Sequence, residues 1–412
     1  MDRLYTTIRP YAWGSRTALA ELQGRPAPTD GPEAELWMGS HSGAPSRVVR
    51  DGRTVDLGVV LAADPVGELG AGVVAAFGAH LPYLLKVLAV AEPLSLQAHP
   101  DAEQARAGFA AEEAAGIPRD AATRTFRDAS PKPELMCALT RFEALCGFRR
   151  VAETVRLLDR LQATWGVAPL VPYAERLRTG GTGALRDVVG ALLRLGGTDR
   201  DRLVTAVGEA CAGAAEKADG GSDGSDDADA DARTYGRIAD LAERHPGDPG
   251  VVVALLLNHL WLDPGDAIFV PAGSLHAYLH GVGVEVMANS DNVLRGGLTP
   301  KHVAADALLG VLRFDAGPVL PVRWVEDHRG LRRWETATPE FSLGRVAVDG
   351  TVTLDGGVPQ LLLCVAGSVR ATAGATTVDL TGGTAAFVRA GDPAVSLSGR
   401  GTVFVAAPGR VT

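Results

Sequence analysis

No Cys-x-x-Cys pair occurs in this chain. Its four cysteines, Cys137, Cys146, Cys211 and Cys364, stand at irregular spacings in apolar surroundings, which argues against a zinc ribbon or dithiol redox centre and for reduced, buried thiols. A basic cluster is missing too. Forty Lys and Arg against 49 Asp and Glu leave a formal net charge of −9, so a nucleic-acid partner is not expected, although a local cationic pocket for a small anion remains compatible. The longest apolar run, Val251 to Leu257, falls far short of the ~20 residues a membrane span needs. The opening MDRLYTTIRPYAWGS has an acid at Asp2 and no apolar secretory core. These absences point to the cytoplasm, with no membrane partner.

What is abundant is turn-forming residues. Fifty glycines and 25 prolines suit many short antiparallel strands, and 412 residues imply two or three cores. Residues 150–247 shift to helical composition, with Leu157, Leu158, Leu161, Leu185, Val188, Val189, Leu192 and Leu193 at helix spacing. Within them Ala218 to Ala232, ADGGSDGSDDADADA, is acidic and lacks large apolar groups, so a solvated, mobile loop is expected. An EF-hand does not fit it, for want of the terminal glutamate and flanking amphipathic helices. Strand signal resumes at Val251 and runs to Arg295. A helix is expected from Thr299 as cap and Pro300 at its first position. Beyond 319, short strands and Gly-rich turns read as a second β-sandwich-like unit.

The chemistry concentrates in Gly265 to Arg295, GDAIFVPAGSLHAYLHGVGVEVMANSDNVLR. Ala267 to Val270 reads as a strand, Pro271-Ala272-Gly273 as a turn, and the spacing Gly-x5-Pro-x-Gly-x2-His aims His276 into the mouth of a β-barrel. Alone, a core histidine in a tight hairpin is the simpler reading, so the case rests on partners. In LPYLLKVLAVAEPLSLQAHP (81–100), Ser95, Gln97 and His99 share one strand face. Lys86 stands in an apolar strand, where burial demands a partner. Two prolines bracket Lys132 before Glu134 enters another apolar strand, and such a carboxylate wants a cation. Gln97, His99, Glu134 and His276 together suit a borderline divalent ion, zinc first, with Mn²⁺, Fe²⁺ or Co²⁺ as alternatives.

The blocks YAWGS, YLLKVLAVAEPLSLQAHP, KPELMCAL, PGDAIFVPAGSLHAYL and SDNVLRGGLTPKH resemble, in family order, those of type I mannose-6-phosphate isomerase. The resemblance implies a mainly β fold with a helical insertion: a cupin (double-stranded β-helix, jelly-roll) catalytic domain over 1–149 and 248–318, an insertion over 150–247, and a C-terminal β-sandwich or cupin-like domain over 319–412. It implies one zinc ion per chain on Gln97, His99, Glu134 and His276. The implied reaction interconverts mannose 6-phosphate and fructose 6-phosphate through a cis-enediol. Arg295 matches the family's active-site arginine, Lys132 and Glu285 are the proton-transfer candidates, and Trp13, Lys86, Ser95, Tyr278 and Lys301 would bind substrate. A small phosphosugar is then the partner and a monomer the expected state.

Three residues depart from pattern, Ser130 and Pro131 from that of the family and His280 from that of the second cupin motif. Ser130-Pro131 replaces the Asn-His of many relatives, so no role of that histidine carries over, and His280 stands where an asparagine often follows the motif histidine. Two rivals remain from the residues alone. A non-catalytic cupin would bind sugar phosphate without turnover, and a metal-dependent oxygenase would favour a His/His/carboxylate set without Gln97.

Overall fold

The computed structural model describes residues 1–219 and 226–409. Two large sheets and a block of helices make up these residues, and among them no helix is long and apolar enough to cross a membrane. The first sheet, of ten strands, is built around His276–Ala288. The first half of this strand pairs with Phe142–Phe148, and His276 also lies opposite Gln97. Its second half pairs on one side with Tyr83–Val90 and on the other with Glu134–Ala138. One strand therefore touches every segment that carries a candidate ligand. Gly281 sits at the junction with φ 120°, where a Cβ would come within 2.7 Å of the Arg141 carbonyl, so only glycine lets the strand change partners there.

All eight residues of Tyr83–Val90 are buried, as expected for a strand covered on both faces. Tyr83, Leu85, Val87 and Ala89 pack with Phe341, Leu361, Phe387 and Phe404 of the second sheet, so the two sheets share a core. The opposite face carries Leu84, Lys86, Leu88 and Val90, and it is this face that turns toward the ligands. A lysine thus interrupts an apolar run because its alternate face lines a pocket.

The second, eight-stranded sheet is formed by the C-terminal strands and by Asp2–Leu4, which pairs with Ala385–Val388. The chain's first strand therefore crosses to the far unit. The helices Val151–Trp165, Leu185–Leu193 and Gly197–Asp219 bury Leu157, Leu158, Leu161, Leu185, Val188, Val189, Leu192 and Leu203 against Leu96, Leu145, Leu275 and Leu294 of the first sheet.

Three segments differ from expectation. The acidic stretch is largely helical: Ala218 and Asp219 end one helix and Asp226–Arg244 forms the next, while 220–225 lie outside the described residues. The cause is long-range, since Asp231 is buried against Arg156 and Arg160 and the following Tyr235, Ile238 and Leu241 anchor the helix in the core. Val251 to Ala254 belong to a helical turn, Gly250–Ala254, because a fully buried apolar run has no periodicity to tell helix from strand. The helix expected from Thr299 starts instead at Ala305, and Thr299 Oγ1 accepts from the Lys301 amide in a turn.

Candidate metal centre and its pocket

Glu134 is the hinge of the site. One carboxylate oxygen lies 3.2 Å from His99 Nε2 and 3.1 Å from Lys132 Nζ, and the other lies 3.3 Å from His276 Nε2. Of the four ligand candidates, His99, Glu134 and His276 are buried with donor atoms within 4.8 Å of one another, while Gln97 is half-buried. The Nδ1–H groups are already committed: His99 donates to the Asn292 carbonyl at 2.6 Å and His276 to the Ser274 carbonyl at 3.0 Å. Both rings therefore direct an Nε2 lone pair at the same point. Among the described residues His99 Nε2, His276 Nε2 and Glu134 Oε2 have no hydrogen-bond partner, and buried polar atoms left so are costly unless an ion takes them. Two imidazoles and a carboxylate fit a divalent ion of the zinc type, and Gln97 lies opposite His276 in the strand register.

The electrostatics agree with this fit. Burial, helped by the Lys132 ammonium, takes His99 down to about 4, leaving a neutral imidazole. Burial works against the charge on Glu134, but the adjacent Lys132 ammonium foremost outweighs it and holds the carboxyl well below its ordinary range. A neutral imidazole and an ionised carboxylate are the forms that bind metal.

Above the centre opens a pocket of about 730 Å³. Trp13, Lys86, Ser95, Gln97, Lys132, Glu134, Tyr278, Glu285, Arg295 and Lys301 all line it, while His99 and His276 lie buried beneath. A groove of about 820 Å³ among the helices carries ion pairs such as Arg176–Asp187 at 2.6 Å, and its lining among the described residues holds no such constellation.

Lys86 Nζ donates to Glu285 at 3.0 Å, across directly paired strands. Burial opposes the charge on Lys86, but Glu285, Glu35 and Glu134 more than compensate and raise it above its ordinary value. Burial pushes Glu285 up, against the pull of Lys86. Burial, with Glu285 and Glu134 nearby, also puts the Tyr278 hydroxyl well above its ordinary value, so it is a donor. At the other end Arg295 and Lys301 are each lowered by burial and by neighbouring cations, with Arg127 acting on both. Among the described residues none of these three cations forms an ion pair with a carboxylate, which leaves a cationic end suited to an anion.

Sequence reasoning missed Arg127, Asn292, and the Glu35, Trp37 and His41 set. Trp37 Nε1 donates to Glu35 at 2.5 Å, and His41 Nε2 lies 3.4 Å from Asp291. The alternation of Glu35, Trp37 and Gly39 in ELWMGSH carried a polar-face signal; nothing local marked Arg127.

A cupin-type β fold with a His/Glu/His set at the floor of a cation-rimmed pocket defines a metal-site protein for a small anionic ligand. Residues 1–151 match the family described as phosphomannose isomerase type I, catalytic domain. The mannose-6-phosphate isomerase of Escherichia coli (strain K12) is 37% identical over 412 residues, covering 97% of this chain and 98% of that protein. The K86A mutant of phosphomannose isomerase from Salmonella typhimurium superposes with a TM-score of 0.89 at 33% identity over 100% of both chains. A zinc-bound mannose 6-phosphate isomerase gives 0.88 at 33% identity over 99% of both. The chain belongs to the type I phosphomannose isomerase family.

The buried Lys86–Glu285 pair yields a stability prediction with a definite sign. Lys86→Met leaves a buried carboxylate without its cation and costs about 3–5 kcal/mol near neutrality. Glu285 then has a folded-state pKa raised further above the ordinary 4.5. The stability it contributes is present below 4.5 and lost as pH rises through the folded value. Urea midpoints should therefore show a gap to wild type that is large at neutral pH and narrows in acid. A gap independent of pH would mean that Glu285 is not the group left unpaired.

Proposed function

We propose that the protein interconverts mannose 6-phosphate and fructose 6-phosphate, with zinc held by Gln97, His99, Glu134 and His276. The observation that carries this reading is one pocket, lined by Glu134 with His99 and His276 buried beneath it, that also holds a buried, proton-competent Glu285 and a cationic rim unpaired among the described residues. When bound, the ion supplies Lewis-acid polarisation of the sugar's carbonyl and hydroxyl oxygens.

The residues divide the remaining work by their chemistry. Glu285 takes the C2 proton of the open-chain aldose and returns it at C1, its raised pKa matching a base that must also give the proton back. Lys86 balances its charge, and the Tyr278 hydroxyl, without a partner among the described residues, is available to donate to the substrate in the same pocket. Lys132 is held by Glu134, so it serves as a fixed positive charge beside the developing enediolate rather than as the base. Arg295, with Lys301 and Arg127, receives the phosphate, and Ser95 supplies a hydroxyl. Trp13, stacked on Tyr11 at 5.8 Å between ring centroids, forms the sugar-facing lip. The non-catalytic binding alternative leaves unexplained why a binding pocket would bury a carboxylate with a displaced pKa.

The same reading takes residues 1–149 with 248–318 as the catalytic unit, 150–247 as a helical insertion and 319–412 as a second β unit. It also takes the protein to act as a cytoplasmic monomer without nucleic-acid partners. Isomerisation in D₂O tests the chemistry: deuterium should enter fructose 6-phosphate at C1, and its complete absence alongside turnover would favour hydride transfer over the enediol. Arg295→Ala should retain zinc yet lower kcat/KM by about 10–100-fold, the scale of a lost charge-assisted hydrogen bond to the phosphate. Activity near wild type would remove Arg295 from the site.

A further inference from the structure

Asn292 is fully buried, and its bonds join three parts of the pocket that are remote in sequence. Its carbonyl accepts the His99 Nδ1–H at 2.6 Å. Its side-chain Oδ1 accepts the Arg127 amide at 2.7 Å and the Asp128 amide at 3.2 Å, while Nδ2 donates to the Asp128 carbonyl at 2.8 Å and the Ser130 carbonyl at 3.0 Å. The clasp is doubled by its neighbours: Ser290 Oγ donates to Asp128 Oδ1 at 2.8 Å, and the Asp291 amide to Asp128 Oδ2 at 2.7 Å. The strap 127–130 so held carries Arg127 of the cationic rim and leads directly into Lys132 and Glu134.

A primary amide with two acceptor and two donor sites is fully used by these four main-chain contacts. Aspartate could accept the two amides but could not donate to the two carbonyls. His276 has no comparable dependence, because its Nδ1 partner, Ser274, lies two residues away in its own turn.

We infer that Asn292 is a positioning residue for the metal centre: it sets the orientation of His99 through its carbonyl and the approach of the Glu134 strand through its side chain. The inference rests on the metal-site reading above and concerns metal affinity, so it is tested apart from isomerase activity. Apo protein is titrated with zinc against a chromophoric chelator, for wild type, Asn292→Ala, Asn292→Asp and the control Glu143→Gln. Glu143 is buried, bonded to Arg237 and His259 at 2.7 Å each, and does not line the pocket.

Both Asn292 variants keep the main-chain carbonyl that accepts from His99 but lose side-chain bonds that fix it against the 127–130 strap, so both should bind zinc about 10-fold more weakly, the lower end of the range for a disturbed outer shell. Glu143→Gln should lower the urea midpoint and leave zinc affinity unchanged, which separates positioning from general destabilisation. Should Asn292→Ala fail to fold, Asn292→Asp decides. Wild-type affinity in a folded Asn292 variant, or an equal loss in Glu143→Gln, would overturn the inference. Absence of zinc binding in wild type would overturn the metal-site reading and this inference with it.

Discussion

Replacing His99 by alanine abolishes stoichiometric zinc retention and lowers kcat/KM by about three orders of magnitude. The reasoning begins with geometry: His99 donates its Nδ1–H to a fixed carbonyl and aims Nε2 at Glu134 from a fully buried position. Alanine removes the donor. The remaining Gln97, Glu134 and His276 offer only one imidazole, a much poorer zinc set. Lewis-acid polarisation is worth several kcal/mol, and at 1.36 kcal/mol per tenfold, about 4 kcal/mol gives the stated factor. Metal analysis and steady-state kinetics on the same preparation check it. Stoichiometric zinc in the variant would remove His99 from the ligand set.

Glu285→Gln should lower kcat by about 10²–10⁴-fold, the range for a positioned general base, with zinc content unchanged. Glutamine keeps the size of the side chain and still accepts from Lys86, and Glu35 and Glu134 remain as counter-charges for that ammonium. What is lost is the ability to take a proton. The pH profile discriminates further. In wild type the base must be ionised, so kcat/KM rises with pH through a limb whose midpoint lies above 4.5, since burial raises Glu285. The variant should lack that limb. A residual profile of unchanged shape would transfer the role of base to another group.

Legibility in the sequence followed the range of the interactions. Ala267–Val270 occurs as a strand at the residues read from its turn signals, because Gly265, Pro271 and Gly273 punctuate it locally. The need of Lys86 for a partner was legible as a principle, but the partner is 199 positions away and emerges only from strand register. Arg127 and Asn292 were illegible for the same reason, since their placement depends on side-chain bonds to a strap some 160 residues distant. The acidic stretch misled through composition: a buried Asp231 gripped by Arg156 and Arg160 has the same letters as a solvated one. The crossing of Asp2–Leu4 to the second sheet has no local signature, as three residues carry too little pattern to name their partner.

The most direct test of the whole account is to purify the protein, quantify its bound metal, and follow fructose 6-phosphate formation from mannose 6-phosphate before and after a chelator. The account predicts stoichiometric zinc, turnover that ceases on chelation, and recovery when zinc is returned. Stoichiometric zinc without turnover, or turnover indifferent to chelation, would contradict it.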